Sequence, residues 1–567
     1  MPKEREDVET KSSDSPEVYQ QTNFMAWFEK AFPWLLVSGA ALGLLLMIFL
    51  PVIFFQEKTA EQLLAQSNLR LALLYTTGGV IAALGLLETY RKNTNDRAKA
   101  NADIKAALKN QEHQAEVLKE QIRQFDDNAF KERKAERRER YTKAVEQLGD
   151  EKAPVRMGGV YTLAGLVDEW LEEESIEKYE DRLKEGQVII NNLCAYIRSP
   201  FTLASRYDEL SKDNPISEGI YKDNQQKFYS DKAELKAEAD VRLGIIQEIH
   251  DRLQGPEENT PGTWSDFEYD FSGSTFFYPV DLTKSYYTKP VNFSGSIYKG
   301  EADFSDSIYE GEANFSNSAY EKGVIFSTFG SRSTYKGKAD FSDSTYKGKA
   351  NFSNSTYKGK ANFSDSTYQA LADFSDSAYQ DVADFSDSAY QDVADFSCST
   401  YQGEANFRRS TYQGEANFRR STYRWADFSR SIFYSETYFG KDKYSNSSSC
   451  FTNRAPQFYD KTNHKNTLFG SHNNDFTVDI DKGYPINLNS EGLPLGCKIL
   501  TSEQKEYLAD KFQEIDETKN KLREAKDDEE KARLSDMLRP LYKELRKWRE
   551  EATTVKAEDA APEEKNN

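Results

Sequence analysis

The chain has 567 residues, a formal net charge of −20, and 30% charged residues. This length allows several domains, and the acidic balance argues against general nucleic-acid binding. Four scattered cysteines form no C-x-x-C pair, which favours a reducing compartment and gives no cysteine metal motif.

Two uncharged runs near the N-terminus predict a two-helix transmembrane hairpin over 34–90. The first span covers 34–55 and the second about 71–90, after a polar N-terminus over 1–33. Lysines and arginines flank the outer ends of both spans, so we expect both termini in the cytoplasm of a bacterial inner membrane. Small-residue pairs, Gly39 with Gly43 and Gly79 with Ala83, favour close packing within the hairpin or against a second copy. Because no charged residue lies within the runs 34–55 and 71–87, the hairpin is interpreted as an anchor rather than a transport path.

A long helix is predicted over 91–140, with an apolar seam of three- and four-residue steps. This coiled-coil-like seam leaves dimerisation open. The seam residues are Ile104, Leu108, Ala115, Leu118, Ile122, Phe125 and Ala129. A basic cluster at its end is interpreted as a solvated helix face or a contact for lipid phosphates or another acidic partner. That cluster comprises Lys131, Arg133, Lys134, Arg137, Arg138 and Arg140.

A small helical module is predicted over 141–255, with an amphipathic helix from Val241 to Leu253 that we expect to cover the next domain. Gly158 and Gly159 lie in a helical context without a flanking strand, so they do not indicate a nucleotide-binding loop.

An eleven-residue phrase recurs over 266–439, for example ADFSDSIYEGE from Ala302. Phenylalanines recur every eleven residues, and a tyrosine follows each one five positions later. A small residue two positions before each ring indicates an extended chain with both side chains facing inward. Glycines after the tyrosines, such as Gly300 and Gly348, are predicted to turn corners. A short fixed period predicts a solenoid of about seven coils, each of about 22 residues.

This phrase resembles the pentapeptide-repeat family over about 165 residues, with the difference that every second unit carries a sixth residue. The segment AVEQLG…VRMGGVYTLAGL also resembles a helical module that precedes such repeats in bacterial membrane proteins. The resemblance implies a right-handed quadrilateral β-helix within a multidomain membrane protein. Some soluble members of the family mimic DNA and bind topoisomerases, which is an alternative for this chain.

After the repeat, an irregular cap is predicted over 440–500, a charged helical hairpin over 501–551 and a disordered tail over 552–567. The cap contains isolated aromatics at Phe451, Phe458, Phe469 and Phe476. The hairpin has one apolar stripe per arm and a kink at Pro540.

Outward charges of the repeat are segregated along the sequence. Asp384, Asp387 and Asp395 belong to an acidic middle, and a basic end contains Arg408, Arg409, Arg419 and Arg420. These seven residues are the candidate partner-binding site, the alternative being an ordinary soluble surface.

No catalytic, cofactor or metal pattern is recognised, so we expect a non-enzymatic, membrane-anchored scaffold or adaptor for a protein partner. The expected partners are that protein, the lipid bilayer and, through the coiled-coil seam or the glycine faces, a second copy. Direct nucleic-acid binding is not expected. A membrane transport or sensing component is a further alternative.

Overall fold

The computed structural model describes residues 23–54, 60–91, 97–217, 219–327, 330, 332–441, 446–524 and 528–554. The chain divides into two compact units, Met1–Lys131 and Glu132–Asn567. The predicted N-terminal segment before residue 23 and the predicted tail after residue 554 lie outside the described residues.

The first unit contains helix α1 (Asn23–Phe54), helix α2 (Ala60–Arg91) and the N-terminal part of helix α3 (Arg97–Leu148). Within the described residues, one helical segment, Leu36–Phe54, is long and apolar enough to cross a membrane. The second predicted span lies in α2, which does not reach the same length and apolarity. The two-span topology therefore stays a prediction.

Gly43 permits close approach of α1 and α2. A Cβ at Gly43 would clash with Cγ2 of Thr77, whereas no atom of the described residues lies within 4 Å of one at Gly39 or Gly79. Gly43 therefore makes the close helix contact expected of a small residue, and its predicted companion Gly39 does not.

Helix α3 is 52 residues long. Three residues of its predicted seam, Leu108, Ala115 and Leu118, border an apolar cavity of about 800 Å³ together with α1 and α2. Further along the seam, Phe125 is 73% exposed. A coiled coil with a second copy remains a prediction.

The basic cluster of α3 is ion-paired within the second unit. Arg137 lies 2.7 Å from Glu173 and 4.7 Å above the Trp170 ring, and Arg133 lies 3.1 Å from Glu173. Arg140 lies 2.7 Å from Glu169. The interpretation as a solvated helix face was therefore wrong for Arg137, whose side chain is 11% exposed, because acidic residues near the end of the next helix cover it.

The helical module contains α4 (Ala153–Leu171), α5 (Tyr179–Arg198), a 3-10 helix (Thr202–Arg206), α6 (Tyr207–Leu210) and α7 (Gln225–Leu253). Helix α7 contacts the first coil as expected: His250 Nε2 lies 2.7 Å from the carbonyl of Thr283. Arg198 of α5 lies 2.6 Å from Asp270, so two helices cover this end of the solenoid.

The second unit continues as a parallel β-solenoid of about eight coils, with four short strands per coil. The chain visits four faces in turn, which we name A, B, C and D. The longer strands Thr400–Asn406 and Thr422–Asp427 pass from face D to face A.

Face A comprises Tyr269–Asp270, Val291–Asn292, Ala313–Asn314, Ala339–Asp340, Ala361–Asn362, Ala383–Asp384 and the ends of the two longer strands. Face B comprises Thr275–Phe276, Ile297–Tyr298, Ala319–Tyr320, Thr345–Tyr346, Thr367–Tyr368, Ala389–Tyr390, Thr411–Tyr412, Ile432–Phe433, Leu468–Phe469 and Lys498–Ile499. Face C comprises Val280–Asp281, Ala302–Asp303, Val324–Ile325, Ala350–Asn351, Ala372–Asp373, Ala394–Asp395, Ala416–Asn417 and Thr437–Tyr438. Face D comprises Tyr286–Tyr287, Ile308–Tyr309, Thr334–Tyr335, Thr356–Tyr357, Ala378–Tyr379, Cys450–Phe451 and the beginnings of the longer strands.

Aromatic rings fill the core in stacked columns, as the spacing predicts. Tyr346 and Tyr368 stack at 4.7 Å between ring centroids, and Phe341 and Phe363 stack at 5.0 Å. Phe352 meets Phe363 edge-to-face at 5.1 Å. Such stacked and edge-to-face arrangements are favoured by the ring quadrupole, so the core is a continuous aromatic ladder.

Serines add a polar ladder beside the rings. The backbone N–H of Ser366 donates to Oγ of Ser388, 22 residues later, at 3.2 Å. Ser388 Oγ in turn donates to the carbonyl of Phe363 at 3.1 Å. These bonds link neighbouring coils and satisfy the buried hydroxyl of Ser388.

The chain bends at the glycines after the tyrosines, but the left-handed corners lie elsewhere. They fall two residues after each Phe-position residue, at Asp, Asn, Arg or Cys as well as Gly. The sixth residue of the longer repeat unit is accommodated there, since four residues separate Asn351 from Thr356 but three separate Tyr357 from Ala361.

Two columns of left-handed residues result, and we name them after the faces they join. Corner AB contains Gly273, Gly295, Asn317, Asp343, Asp365, Asp387, Arg409 and Arg430. Corner CD contains Lys284, Asp306, Asn354, Asp376, Cys398 and Arg420.

The glycines after the tyrosines serve close backbone approach instead of a left-handed conformation. A Cβ at Gly359 would lie 2.4 Å from the carbonyl oxygen of Gly337 in the preceding coil. Neither glycine has a positive φ, so packing between coils is what requires them.

The segment predicted as an irregular cap prolongs the aromatic ladder. Phe458 stacks on Phe428 at 5.0 Å, and Phe469 stacks on Phe433 at 5.1 Å. The aromatics that seemed isolated in the sequence therefore occupy the same columns as the regular repeat.

Candidate docking interface

The C-terminal hairpin packs against face B. It consists of α8 (Ser502–Glu524) and α9 (Asp528–Ala552), and α9 continues through Pro540. Thr501 and Gln504 cap the start of α8 reciprocally: each backbone N–H donates to the other's side chain, at 3.0 and 3.2 Å. This capping box satisfies two free donors at the helix start.

The apolar stripes predicted for the two arms face the solenoid. Phe512 of α8 meets Tyr434 edge-to-face at 5.3 Å. A single buried cluster joins both arms to the outward side of face B and contains Ile432, Leu468, Leu500, Leu508, Phe512, Ile515, Leu538, Leu541 and Leu545. Burial of this apolar surface is the main driving force for docking.

Corner AB supplies the charges that position α9. Arg546 lies 2.8 Å from Asp365 and donates to the backbone carbonyl of Asp387 at 2.9 Å. Arg549 lies 3.2 Å from the Asp387 carboxylate, and Arg409 donates to the same carboxylate at 2.8 and 2.9 Å. Asp387 therefore accepts from the next coil and from α9 at once.

A second charged contact lies nearer the end of α9. Glu550 is ion-paired with Arg430 of corner AB and lies 3.8 Å from Lys465. The Lys465 ammonium also donates to the backbone carbonyl of Glu550 and to Thr554. Basic and acidic groups thus alternate across the interface, which fixes the register of α9 along the corner.

Burial changes the acid–base behaviour of two of these groups. Burial lowers the pKa of the Arg549 guanidinium to about 10, although Asp387 and Glu550 oppose the shift. Burial also raises the pKa of Asp365, although Arg546 opposes this shift. The pKa of Arg409 is raised, chiefly by its hydrogen bonds to Asp387.

The other predicted residues on this side have different contacts. Asp384 Oδ1 accepts from Asn406 Nδ2 at 2.9 Å and from the N–H of Ser386 at 3.1 Å, so it supports the coil below the corner. Arg408 donates to Asn406 Oδ1 at 3.0 Å and lies 3.7 Å from Asp427.

The remaining three lie on the opposite side of the four-faced coil. Asp395 of face C accepts from Asn417 Nδ2 at 3.0 Å. Arg419 lies 3.8 Å above the Tyr438 ring, and Arg420 of corner CD is exposed. The seven predicted residues therefore form two groups. Among their described contacts, Asp387 is bonded directly to the hairpin, and Arg409 is bonded to Asp387.

Sequence reasoning missed the residues of α9 that complete the interface. Arg546, Arg549 and Glu550 lie three and four positions apart, and this spacing places side chains on one helix face. Their charges are opposite to those of Asp365, Asp387 and Arg430, respectively. The spacing and charges of these residues could be recognised in the sequence, but the sequence did not indicate which surface they contact.

Compared with known proteins, the chain matches no protein family, no curated protein and no solved structure.

Proposed function

We propose that this protein is a pentapeptide-repeat protein that acts as a non-enzymatic, membrane-anchored scaffold for a protein partner. The aromatic ladders, the four-stranded coils and the membrane-length segment Leu36–Phe54 support this proposal. In it, α1 and α2 form the inner-membrane anchor, with both termini in the cytoplasm. A second copy joining through α3 fits the same role.

The observation that carries the proposal is the hairpin on face B. The hairpin is an example, within this chain, of an amphipathic helix that packs on one solenoid face and forms ion pairs with the charged residues of the adjacent corner. Face D has the same outward residue types, because faces B and D are related by the eleven-residue repeat. Thr411 of face B is 9% exposed under the hairpin, whereas its equivalent Thr400 on face D is exposed.

We therefore assign face D and corner CD as the partner surface. Corner CD carries Asp376 and Arg420, both exposed, at the positions equivalent to Asp365 and Arg409. The proposed partner presents an amphipathic helix, with a basic residue for Asp376 and an acidic one for Arg420.

The DNA-mimic alternative has less support. A phosphate mimic needs an unbroken acidic column, and corner AB changes sign at Arg409 and Arg430. Two of its carboxylates, Asp365 and Asp387, are ion-paired with α9. No specific feature of the described residues supports a transport or sensing role.

Site-specific photocrosslinking in native membranes tests the proposal. A photoreactive phenylalanine at position 378 or 400 lies on face D, and one at the exposed position 301, before face C, is the matched control. We expect positions 378 and 400, but not 301, to crosslink one protein through a helical segment. The proposal is wrong if face D gives no adduct, or if position 301 captures the same protein equally.

A further inference from the structure

A cavity of about 700 Å³ lies between face B and the hairpin. Its floor contains Ala319, Thr367 and Ala389, which are small and leave space above the strands. Its roof includes Leu538 and Leu545 of α9. The volume is in the range of small-molecule sites, about 300–1,000 Å³, so the hairpin covers face B without filling it.

The polar groups of this cavity are predominantly cationic. Lys347, Arg539, Lys543, Arg546 and Arg549 border it, against the carboxylates of Glu321 and Asp387. Lys347 and Glu321 lie 3.3 Å apart and offset each other. Arg546 and Arg549 are paired with Asp365 and Asp387. Arg539 and Lys543 are the further cations of the lining, and their positive charge favours an anion in the cavity.

One cation in the cavity lining is built into the interior. The Arg549 side chain is 3% exposed, and its Nε has no hydrogen-bond partner among the described residues. Its terminal nitrogen reaches Asp387 at 3.2 Å. A buried guanidinium with an unused donor is costly unless another acceptor satisfies it.

A polar neighbour lies on the same lining. Gln391 donates through Nε2 to the Tyr542 hydroxyl, while its Oε1 is buried and accepts no hydrogen bond from the described residues. Arg549 and Gln391 therefore both border the apolar channel, and each has one buried polar atom whose hydrogen-bonding capacity the described residues do not fill.

We propose that the cavity binds a single-chain anionic amphiphile, namely a long-chain fatty acid. The carboxylate pairs with Arg549, and the alkyl chain lies between the Ala and Thr column of face B and the leucines of α9. A carboxylate accepts from a guanidinium in a charge-assisted bond, and the small floor residues leave room for methylenes. This inference does not depend on the partner proposed for face D.

The test uses the full-length protein in a non-ionic detergent and a palmitate analogue that carries a photoreactive diazirine. After irradiation, peptide mapping locates the label. We expect labelled peptides from α9 and face B, with palmitate competing at least about tenfold more strongly than hexadecanol, because the alcohol lacks the charged hydrogen bond. Equal competition by the alcohol overturns the role of Arg549, and label confined to α1 and α2 overturns the site.

Two variants, at positions eleven residues apart, distinguish binding in the cavity from binding on the open surface of the solenoid. Ala389→Phe fills the floor under the hairpin, and Ala378→Phe places the same ring at the equivalent position of face D. We expect Ala389→Phe to abolish the α9 label and Ala378→Phe to retain it. Resistance of the hairpin to proteolysis shows whether Ala389→Phe still docks α9. Undiminished label in a docked Ala389→Phe protein overturns the proposal.

Discussion

Arg549 of the C-terminal hairpin and Asp387 of corner AB form an ion pair at 3.2 Å, and the Arg549 side chain is only 3% exposed. Removing one partner of a buried pair leaves the other charge without compensation, at a cost of about 3–5 kcal/mol. The contact therefore makes docking of the hairpin sensitive to one carboxylate of the solenoid.

We predict that Asp387→Asn releases the hairpin from face B. The asparagine keeps the shape and tolerates the left-handed corner, but it no longer balances Arg549, Arg546 and Arg409. Hydrogen exchange over 502–552 should rise markedly. Asp376→Asn, at a left-handed residue of corner CD, is the control and should leave exchange in the hairpin unchanged; equal protection in both variants would contradict the prediction.

A second prediction concerns how the buried tyrosine hydroxyls of the core affect the stability of the protein. The hydroxyl of Tyr335 is buried without a hydrogen-bond partner in the described residues, and Tyr335 is 1% exposed. Tyr335→Phe removes an unsatisfied polar group while keeping the ring stack, so we expect unchanged or higher stability, by up to about 1 kcal/mol.

Tyr221 is the matched contrast, because its hydroxyl donates to Asp231 at 2.8 Å. We expect Tyr221→Phe to destabilise the protein by about 1–3 kcal/mol. Thermal unfolding followed by circular dichroism compares the two variants. A loss as large for Tyr335→Phe would show that its hydroxyl has a partner after all.

Adjacent glycines of α4 should respond oppositely to alanine. A Cβ at Gly159 would lie 2.7 Å from the carbonyl oxygen of Ala144, whereas one at Gly158 would have no atom of the described part of the chain within 4 Å. Gly158→Ala should stabilise the helix by up to about 1 kcal/mol through propensity. Gly159→Ala should destabilise it, since the backbone of α3 would have to move. Chemical denaturation of both variants measures the difference, and the same sign in both would refute this account.

The helical module should lose stability in acid. Burial by itself raises the pKa of Glu173, but hydrogen bonds from Arg133, Ser175 and Arg137 outweigh it and lower the pKa from 4.5 to about 2. A lowered folded pKa stabilises the fold fully above about pH 4.5, and this contribution, about 3 kcal/mol, is lost as the pH falls toward 2.

Replacing that carboxylate should flatten the acid response. In Glu173→Gln we expect lower stability at pH 7 and a smaller change between pH 4.5 and 2 than in the unaltered chain. Denaturant midpoints across this window provide the measurement. Glu139→Gln is a suitable control, because Glu139 pairs with Lys143 on the exposed surface of α3. An unchanged pH slope in Glu173→Gln would rule out Glu173 as its source.

The aromatic ladder could be predicted because its signal is local and periodic. A ring every five or six residues, each preceded by a small residue, has few other extended solutions. The spacing also predicted 22 residues per coil, as the register between Ser366 and Ser388 confirms. Inside the regular repeat, the coil that contains the phase break visible in the sequence is longer, with 26 residues between Ser307 and Ser333.

The left-handed corners were harder to predict, because the residue types at these positions do not identify them. Glycine suggested the turn after each tyrosine, yet the left-handed positions also hold Cys398 and Arg409, residue types that rarely adopt this conformation. Their φ values follow from closure of the coil, a tertiary constraint that overrides local preference.

The docking of α8 and α9 was beyond sequence reasoning for a different reason. The stripe of Leu538, Leu541 and Leu545 shows that a surface must be covered, but not which surface. The same holds for the charges of Asp387 and Arg409, which were interpreted as a site for another protein. The structure places Asp387 against this chain's own helix and bonds Arg409 to Asp387.

Each coil of the solenoid consists of two eleven-residue repeats, so an odd or an even number of repeats leaves the end of the chain on different sides. Removing or adding 22 residues would shorten or lengthen the rod by one coil and return every later residue to its original side. Removing or adding eleven would rotate the later coils by half a turn, so that the residues of face B and face D exchange sides. A half-coil change would therefore carry the hairpin to the opposite side of the rod while preserving the ring stacking, which makes the number of repeats, odd or even, a determinant of where the molecule presents its open surface.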